Sequence, residues 1–219
     1  MSHLDVVTLS PSSQDQLIWL GDKNWIFSVK KVYDSAVVLD NPPSFPSSKV
    51  WSKAWPHKVG FFLWQACLGR IATMDNLHKR NMALSSSSLC PMCNGLDESV
   101  DHLLVQCSIV SNIWSYFFHS AGRSIVTGRS VREVLVSWKG LDISEQGKQL
   151  WRRLPAAIMW VFWLSRNAKV FSGKEIKVPD IIRDIKIQVF NWTKSHSCFS
   201  GVNISSIIVG WDQFFIRPP

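Results

Sequence analysis

Cys90, Cys93, His102 and Cys107 form a Cys-x2-Cys-x8-His-x4-Cys run, and no other pattern in the chain restricts its fold as strongly. Zinc is held by thiolate sulfur and imidazole nitrogen in a tetrahedron, and many structural sites open with a Cys-x-x-Cys turn. Pro91 stiffens that turn, and Asn94-Gly95 supply residues tolerant of positive φ where the chain must fold back. Four ligands leave no position for a catalytic water, so the spacing predicts one structural zinc ion. A redox pair of Cys90 and Cys93 is the weaker reading. That chemistry favours a strand before the motif and a helix directly after it, whereas Ser85 to Ser88 precede and Asn94-Gly95 follow. Unliganded buried cysteines are the third reading.

The residues around this run predict a mainly α protein. Val59, Phe62, Leu63 and Ala66 make one apolar stripe at helical spacing, so a helix is expected over 58–69. Cys67, one step further, reads as a small buried thiol. Thr73 is a suitable N-cap for a helix over 74–81, with Asp75 in its first turn. Short helices are expected over 98–104 and 109–118, flanking Cys107, and another carrying Val131, Val134, Leu135 and Trp138. The longest helical pattern covers 146–170, with Pro155 expected to kink or restart it. Pro179 fits the first turn of a last helix that turns Ile182, Ile185 and Val189 inward. Two apolar runs, Leu17 to Leu20 and Trp25 to Val29, flank a Gly/Asp/Asn turn and read as an N-terminal β-hairpin. Ser206 to Val209 and Gln213 to Ile216 are compatible with strands, or with docking onto something absent.

The expected organisation is a loose N-terminus (1–16), a small zinc-binding module (17–120) and a helical C-terminal region (121–219). The most apolar helical stretch, Leu154 to Leu164, is too short for the ~20 residues that span a bilayer. No basic-then-apolar leader opens the chain. An intracellular protein of nucleus or cytoplasm is therefore expected, neither secreted nor membrane-associated, in a compartment where cysteines stay reduced.

The net charge of +8 is unevenly spread. Residues 49–82 hold six Lys/Arg against one Asp, and 110–219 hold fifteen against seven acids. The cysteine segment 83–109 holds only Asp97, Glu98 and Asp101. A basic surface favours polyanions, but an acidic metal loop repels phosphate. RNA or DNA is thus expected away from the metal, with Lys53, Lys58, Arg70, Lys79 and Arg80 as candidate contacts. Twelve Trp and twelve Phe suit core and interface filling first and base stacking second. No phosphate-binding loop, H-E-x-x-H or G-x-S-x-G motif is present, and His57, His78, His119 and His196 have no evident partners.

Several marks occur in order: Phe27-Ser-Val-Lys-Lys-Val-Tyr33, Val50-Trp-x3-Trp55-Pro, Lys58-Val-x-Phe-Phe-Leu-Trp64 and Arg70-Ile-Ala-Thr73-x3-Leu77. The two cysteines of Cys90-Pro-x-Cys93, then Glu98-Ser-x2-His102-Leu103-x3-Cys107 and Ile113-Trp114, complete the series. Together they resemble the reverse transcriptase zinc-binding domain of plant LINE-type, non-LTR retrotransposon proteins. Trp160-x2-Trp163-x2-Arg166-Asn167-x3-Phe171 is similar to the segment that commonly follows that domain. The resemblance implies zinc on Cys90, Cys93, His102 and Cys107 and a supporting role in nucleic-acid handling. It does not carry over polymerase, endonuclease or RNase H activity. The chain opens with its own Met and has no paired-aspartate polymerase motif, so a detached, non-catalytic C-terminal piece is expected. The alternatives are a Trp-rich module docking a reverse transcriptase polymerase domain, or a non-functional remnant of the element. Arg166-Asn167 suits a structural hydrogen-bonding role as well as an RNA contact.

Overall fold

The computed structural model describes residue 28 and residues 45–82, 87–124 and 128–216. The chain divides into two units, Met1–Phe45 and Pro46–Pro219, and the helical body is the second. The expected hairpin over Leu17 to Val29 and the loose segment 1–16 lie outside the described residues, apart from Ser28.

The described body is helical. A short turn of helix, α1 (Ser47–Val50), leads into α2 (His57–Cys67) and α3 (Met74–Lys79). A π-helical turn (His102–Gln106) runs into α4 (Ser108–Ser120), followed by α5 (Val131–Ser137). The long α6 (Glu145–Ser172) and α7 (Val178–Thr193) come next. A 3-10 turn (Ser197–Phe199), α8 (Ile204–Val209) and a second 3-10 turn (Trp211–Phe215) close the described chain. Among the described residues no strand forms, and the β pairing is a single antiparallel bridge between Leu89 and Asp97.

The stripe Val59, Phe62, Leu63 and Ala66 is the buried face of α2, as helical periodicity requires. Gly60 lets α1 cross close by: a Cβ there would stand 3.1 Å from the Val50 carbonyl oxygen and 3.2 Å from the Trp51 ring. The centre of the body is α6, with Leu150, Leu154, Ala157, Ile158 and Phe162 fully buried. Ser144 caps its start, its hydroxyl accepting from the Gly147 N–H at 3.0 Å. Gly173, at φ 61°, ends it in the left-handed conformation that glycine adopts without strain. The short turn to α7 makes the two helices packing neighbours. On α7 the buried stripe is Ile181, Ile185 and Val189, at four-residue steps, while Ile182 lies one step off it and is half-buried.

The helix α6 runs on through Pro155 rather than restarting there. Proline removes the N–H that would bond the Trp151 carbonyl one turn earlier. That carbonyl accepts instead from the Trp138 indole Nε1 at 3.0 Å. Trp151 returns the arrangement, its own Nε1 donating to the Lys139 carbonyl at 2.9 Å, and the two indoles stack at 4.3 Å. A tertiary donor thus replaces the missing backbone one.

Ten of the described aromatic side chains are buried in this interior. Trp114 meets Trp138, Trp151 meets Phe215, and Trp211 meets both Phe215 and Phe117, with ring centroids 5.3–6.4 Å apart. The segment after Thr193 forms helical turns rather than strands, and it docks on its own chain. Trp211 and Phe215 are buried, the Trp211 indole donates to Ser120 Oγ at 3.1 Å, and the Ser144 hydroxyl donates to the Phe214 carbonyl. Among the described residues, no helix is long and apolar enough to cross a membrane.

Candidate metal centre

The metal loop folds as a small knuckle. The Leu89–Asp97 bridge closes it, with the Cys90 N–H donating to the Leu96 carbonyl at 2.8 Å and the Glu98 N–H to the Ser88 carbonyl at 2.8 Å. Inside it the Asn94 N–H donates to the Cys90 carbonyl at 2.8 Å. The residue that takes positive φ is Asn94, at 55°. This turn sets Cys90 and Cys93 side by side, so their sulfurs can reach one ion.

The other half of the site depends on an irregular turn. In an α-helix, residues five apart are rotated by about 140° and face different ways. Here the Cys107 N–H donates to the His102 carbonyl at 2.6 Å, closing a five-residue π turn. His102 and Cys107 therefore stand one turn apart on the same side. Four intervening residues are the spacing such a turn needs, a signal present in the sequence but unreadable without the backbone. The turn ends where α4 begins, so Cys107 sits at a helix N-terminus.

The donor atoms of Cys90, Cys93, His102 and Cys107 all lie within 4.8 Å of one another, with Cys93 Sγ and His102 Nε2 at 3.3 Å. Thiolates about 2.3 Å from a tetrahedral zinc stand roughly 3.8 Å apart, so the cluster matches one ion after slight contraction. Cys90, His102 and Cys107 are buried and Cys93 is half-buried. A hydrogen bond between Cys90 and Cys107 pulls the Cys107 thiol below its ordinary range, helped by N–H groups at the start of α4. The same bond, together with burial, pushes Cys90 up. Proton loss is thus eased at Cys107 and hindered at Cys90, and a zinc ion on these residues would be held by their deprotonated sulfurs. The donors and their convergence fit a single zinc ion.

The acids of the loop brace the fold. The Glu98 carboxylate, fully buried, accepts from the Arg166 guanidinium through Nε at 2.8 Å and Nη2 at 2.6 Å. Its Oε2 also accepts from the Met74 N–H at 2.7 Å, so it caps α3. Thr73 occupies the N-cap position, but its hydroxyl turns to Asp75. Asp101 takes the Val131 N–H at 2.8 Å, at the start of α5. Sequence reasoning missed both jobs; the only hint was an acid four residues before a ligand histidine. Arg166 is fully buried and lies over the Trp163 ring at 5.3 Å, which places it in the structural role rather than on a nucleic-acid surface.

The five basic candidates are all exposed. Arg80 reaches the Arg70 carbonyl at 3.3 Å, which brings those two together. Lys79 is held by Asp75 at 3.2 Å, and Lys58 lies over the Trp160 ring at 5.9 Å. Among the four histidines without evident partners, His78 Nδ1 approaches the Met74 carbonyl at 2.7 Å and His196 Nδ1 the Cys198 sulfur at 3.1 Å.

A knuckle, a π turn and a converging Cys3His set define a zinc-binding domain. Residues 27–114 match the family described as zinc-binding in reverse transcriptase, and this segment is a domain of that kind. A protein of Arabidopsis thaliana carrying the provisional name ribonuclease H protein is 28% identical over 197 residues, which is 89% of this chain and 31% of that protein. The chain thus spans about a third of the length of this curated relative. No solved structure matches.

Proposed function

We propose that Cys90, Cys93, His102 and Cys107 bind one structural zinc ion, and that the chain is a non-catalytic part of a retrotransposon-type reverse transcriptase protein that helps hold RNA or DNA. The convergence of the four donors within a reverse transcriptase zinc-binding segment carries this reading. Residues 17–120 then form the zinc-binding part and 121–219 a helical support, in a protein of the nucleus or cytoplasm. The ribonuclease H in the relative's name belongs to that longer protein, and we assign this chain no hydrolytic step. Net charge +8 and exposed Lys53, Lys58, Arg70 and Arg80 favour a phosphate backbone, with Lys79 contributing less because Asp75 holds it. Elemental analysis should give one zinc per chain. Fluorescence anisotropy with single-stranded RNA and duplex DNA should show binding that weakens steeply with salt. Absent or salt-insensitive binding would refute the nucleic-acid role while leaving the zinc assignment standing.

A second reading has its own observation. Trp51 is 49% and Phe61 50% exposed, and both rings approach Trp64, at 6.4 and 5.4 Å. Such a contiguous aromatic patch suits a protein contact, here a polymerase domain. Copurification of this chain with a reverse transcriptase polymerase domain, lost on Trp51→Ser plus Phe61→Ser, would establish it.

A further inference from the structure

A cavity of about 490 Å³ opens between α1, the turn after α5 and the first turns of α6. Its apolar walls include the indoles of Trp55, Trp138 and Trp151. All three indole N–H groups are already spent on backbone carbonyls: Trp55 on Val50 at 3.2 Å, Trp138 on Trp151, and Trp151 on Lys139. The walls therefore present ring carbons rather than polar edges to a ligand, through the half-buried Trp55 and Trp138, with Trp151 buried behind Trp138. The size suits a planar heterocycle with its sugar.

The remaining lining is cationic. Lys139, Lys148 and Arg152 are exposed, and none of them forms an ion pair among the described residues. Lys148 and Arg152 are four apart on α6, so they share a face. Lys49 adds a fourth positive group, its Nζ anchored to the Trp138 carbonyl at 3.0 Å. Glu145 is the one carboxylate among the described lining residues, and it accepts from the Gln149 amide at 2.8 Å. Four cations against one acid around an indole-lined cleft match a partner that carries negative charge on a backbone and flat rings on its side chains.

We propose that this cavity takes a base of single-stranded nucleic acid, with the flanking phosphates on Lys139, Lys148 and Arg152. The proposal rests on the nucleic-acid reading above. It moves the contact away from Lys53, Lys58, Arg70, Lys79 and Arg80, none of which lines this cavity. Aromatic stacking with basic tracking of the backbone is how sequence-tolerant single-strand sites work.

The test uses the full zinc-loaded chain and a fluorescein-labelled oligouridylate 12-mer, with an abasic 12-mer of equal charge as comparison. The base-bearing strand should bind about tenfold tighter than the abasic one. Lys148→Ser plus Arg152→Ser, both exposed, should leave melting unchanged and weaken binding about tenfold. These changes should lower the salt slope by roughly 0.7 for each phosphate contact removed. Ultraviolet crosslinks should map to Trp55 or Trp138. Binding that survives this double change but is lost with Lys53→Ser plus Lys58→Ser would overturn the cavity site and leave the nucleic-acid reading intact. A wild-type chain that binds no oligonucleotide would overturn both. Competition by polyglutamate as effective as by the 12-mer would overturn the base site in favour of an acidic peptide.

Discussion

Glu98 and Arg166 form a two-pronged ion pair between residues 68 positions apart, with both side chains sealed from solvent. One end lies in the metal knuckle and the other near the end of α6. Because Glu98 also caps α3, three elements meet on one carboxylate. The pair explains how the zinc loop and the C-terminal helices act as one body.

Breaking that pair from one side should be severe. Glu98→Ala leaves a buried guanidinium unmatched, and a loss of about 3–5 kcal/mol is expected. Arg166→Met strands the carboxylate at a similar cost. The double change Glu98→Ala with Arg166→Met should cost less than the two single changes summed, and urea unfolding of all the variants measures this coupling. Additive losses would show that the pair is not a unit.

Zinc removal should loosen the knuckle first. Metal binding and folding are linked in such sites, so chelation or Cys93→Ser should lower the melting temperature. Hydrogen exchange should show lost protection over 87–107, where the turn and π bonds lie. Weakened protection at the end of α6 should follow through Glu98 and Arg166. Unchanged melting after demonstrated metal loss would contradict this.

Trp138 and Pro155 should be coupled although they are not bonded to each other. Trp138→Phe leaves the Trp151 carbonyl without a donor, at about 1–3 kcal/mol beyond the lost packing. Pro155→Ala restores a backbone N–H to that carbonyl. Trp138→Phe should therefore cost less when combined with Pro155→Ala than when made alone, as thermal melts of the four proteins would reveal. An equal cost in both backgrounds would remove the explanation for the helix's continuity through Pro155.

Cys67 should be a slow thiol. Burial pushes it up to about 11, with the nearby Arg132 charge only partly offsetting that. At pH 8 its thiolate fraction is about a hundredfold below that of a free cysteine, so alkylation should lag by a similar factor. The sign also sets a stability trend. The unfolded thiol ionises from about pH 9 while the folded one holds its proton, so stability should fall as pH rises toward 11. Cys67→Ala should flatten that slope.

Some of this structure was legible from residue order. The ligand set needed only residue type and spacing, because a metal selects chemistry that a sequence displays directly. The α2 stripe was legible because burial on one helix face imposes a 3.6-residue period. The α7 face was found to within one residue, Ile181 taking the place expected of Ile182. An acidic loop was also visible, and its sign was read as speaking against a phosphate contact; what its acids do inside the fold was not legible. Glu98 and Asp101 accept the first N–H groups of helices α3 and α5 and so cap their starts.

What the sequence by itself determined is therefore local: the four metal donors, the helical faces and the uneven charge, each a matter of neighbours along the chain. Only the tertiary structure decided the pairings across it. It chose Arg166 as the partner of Glu98, gave the Trp151 carbonyl that Pro155 cannot bond a donor in the Trp138 indole, and turned the last apolar segments into helices docked on their own chain. A hydrogen bond or an ion pair between distant residues depends on which surfaces meet, and that leaves no period or spacing in the sequence to be read.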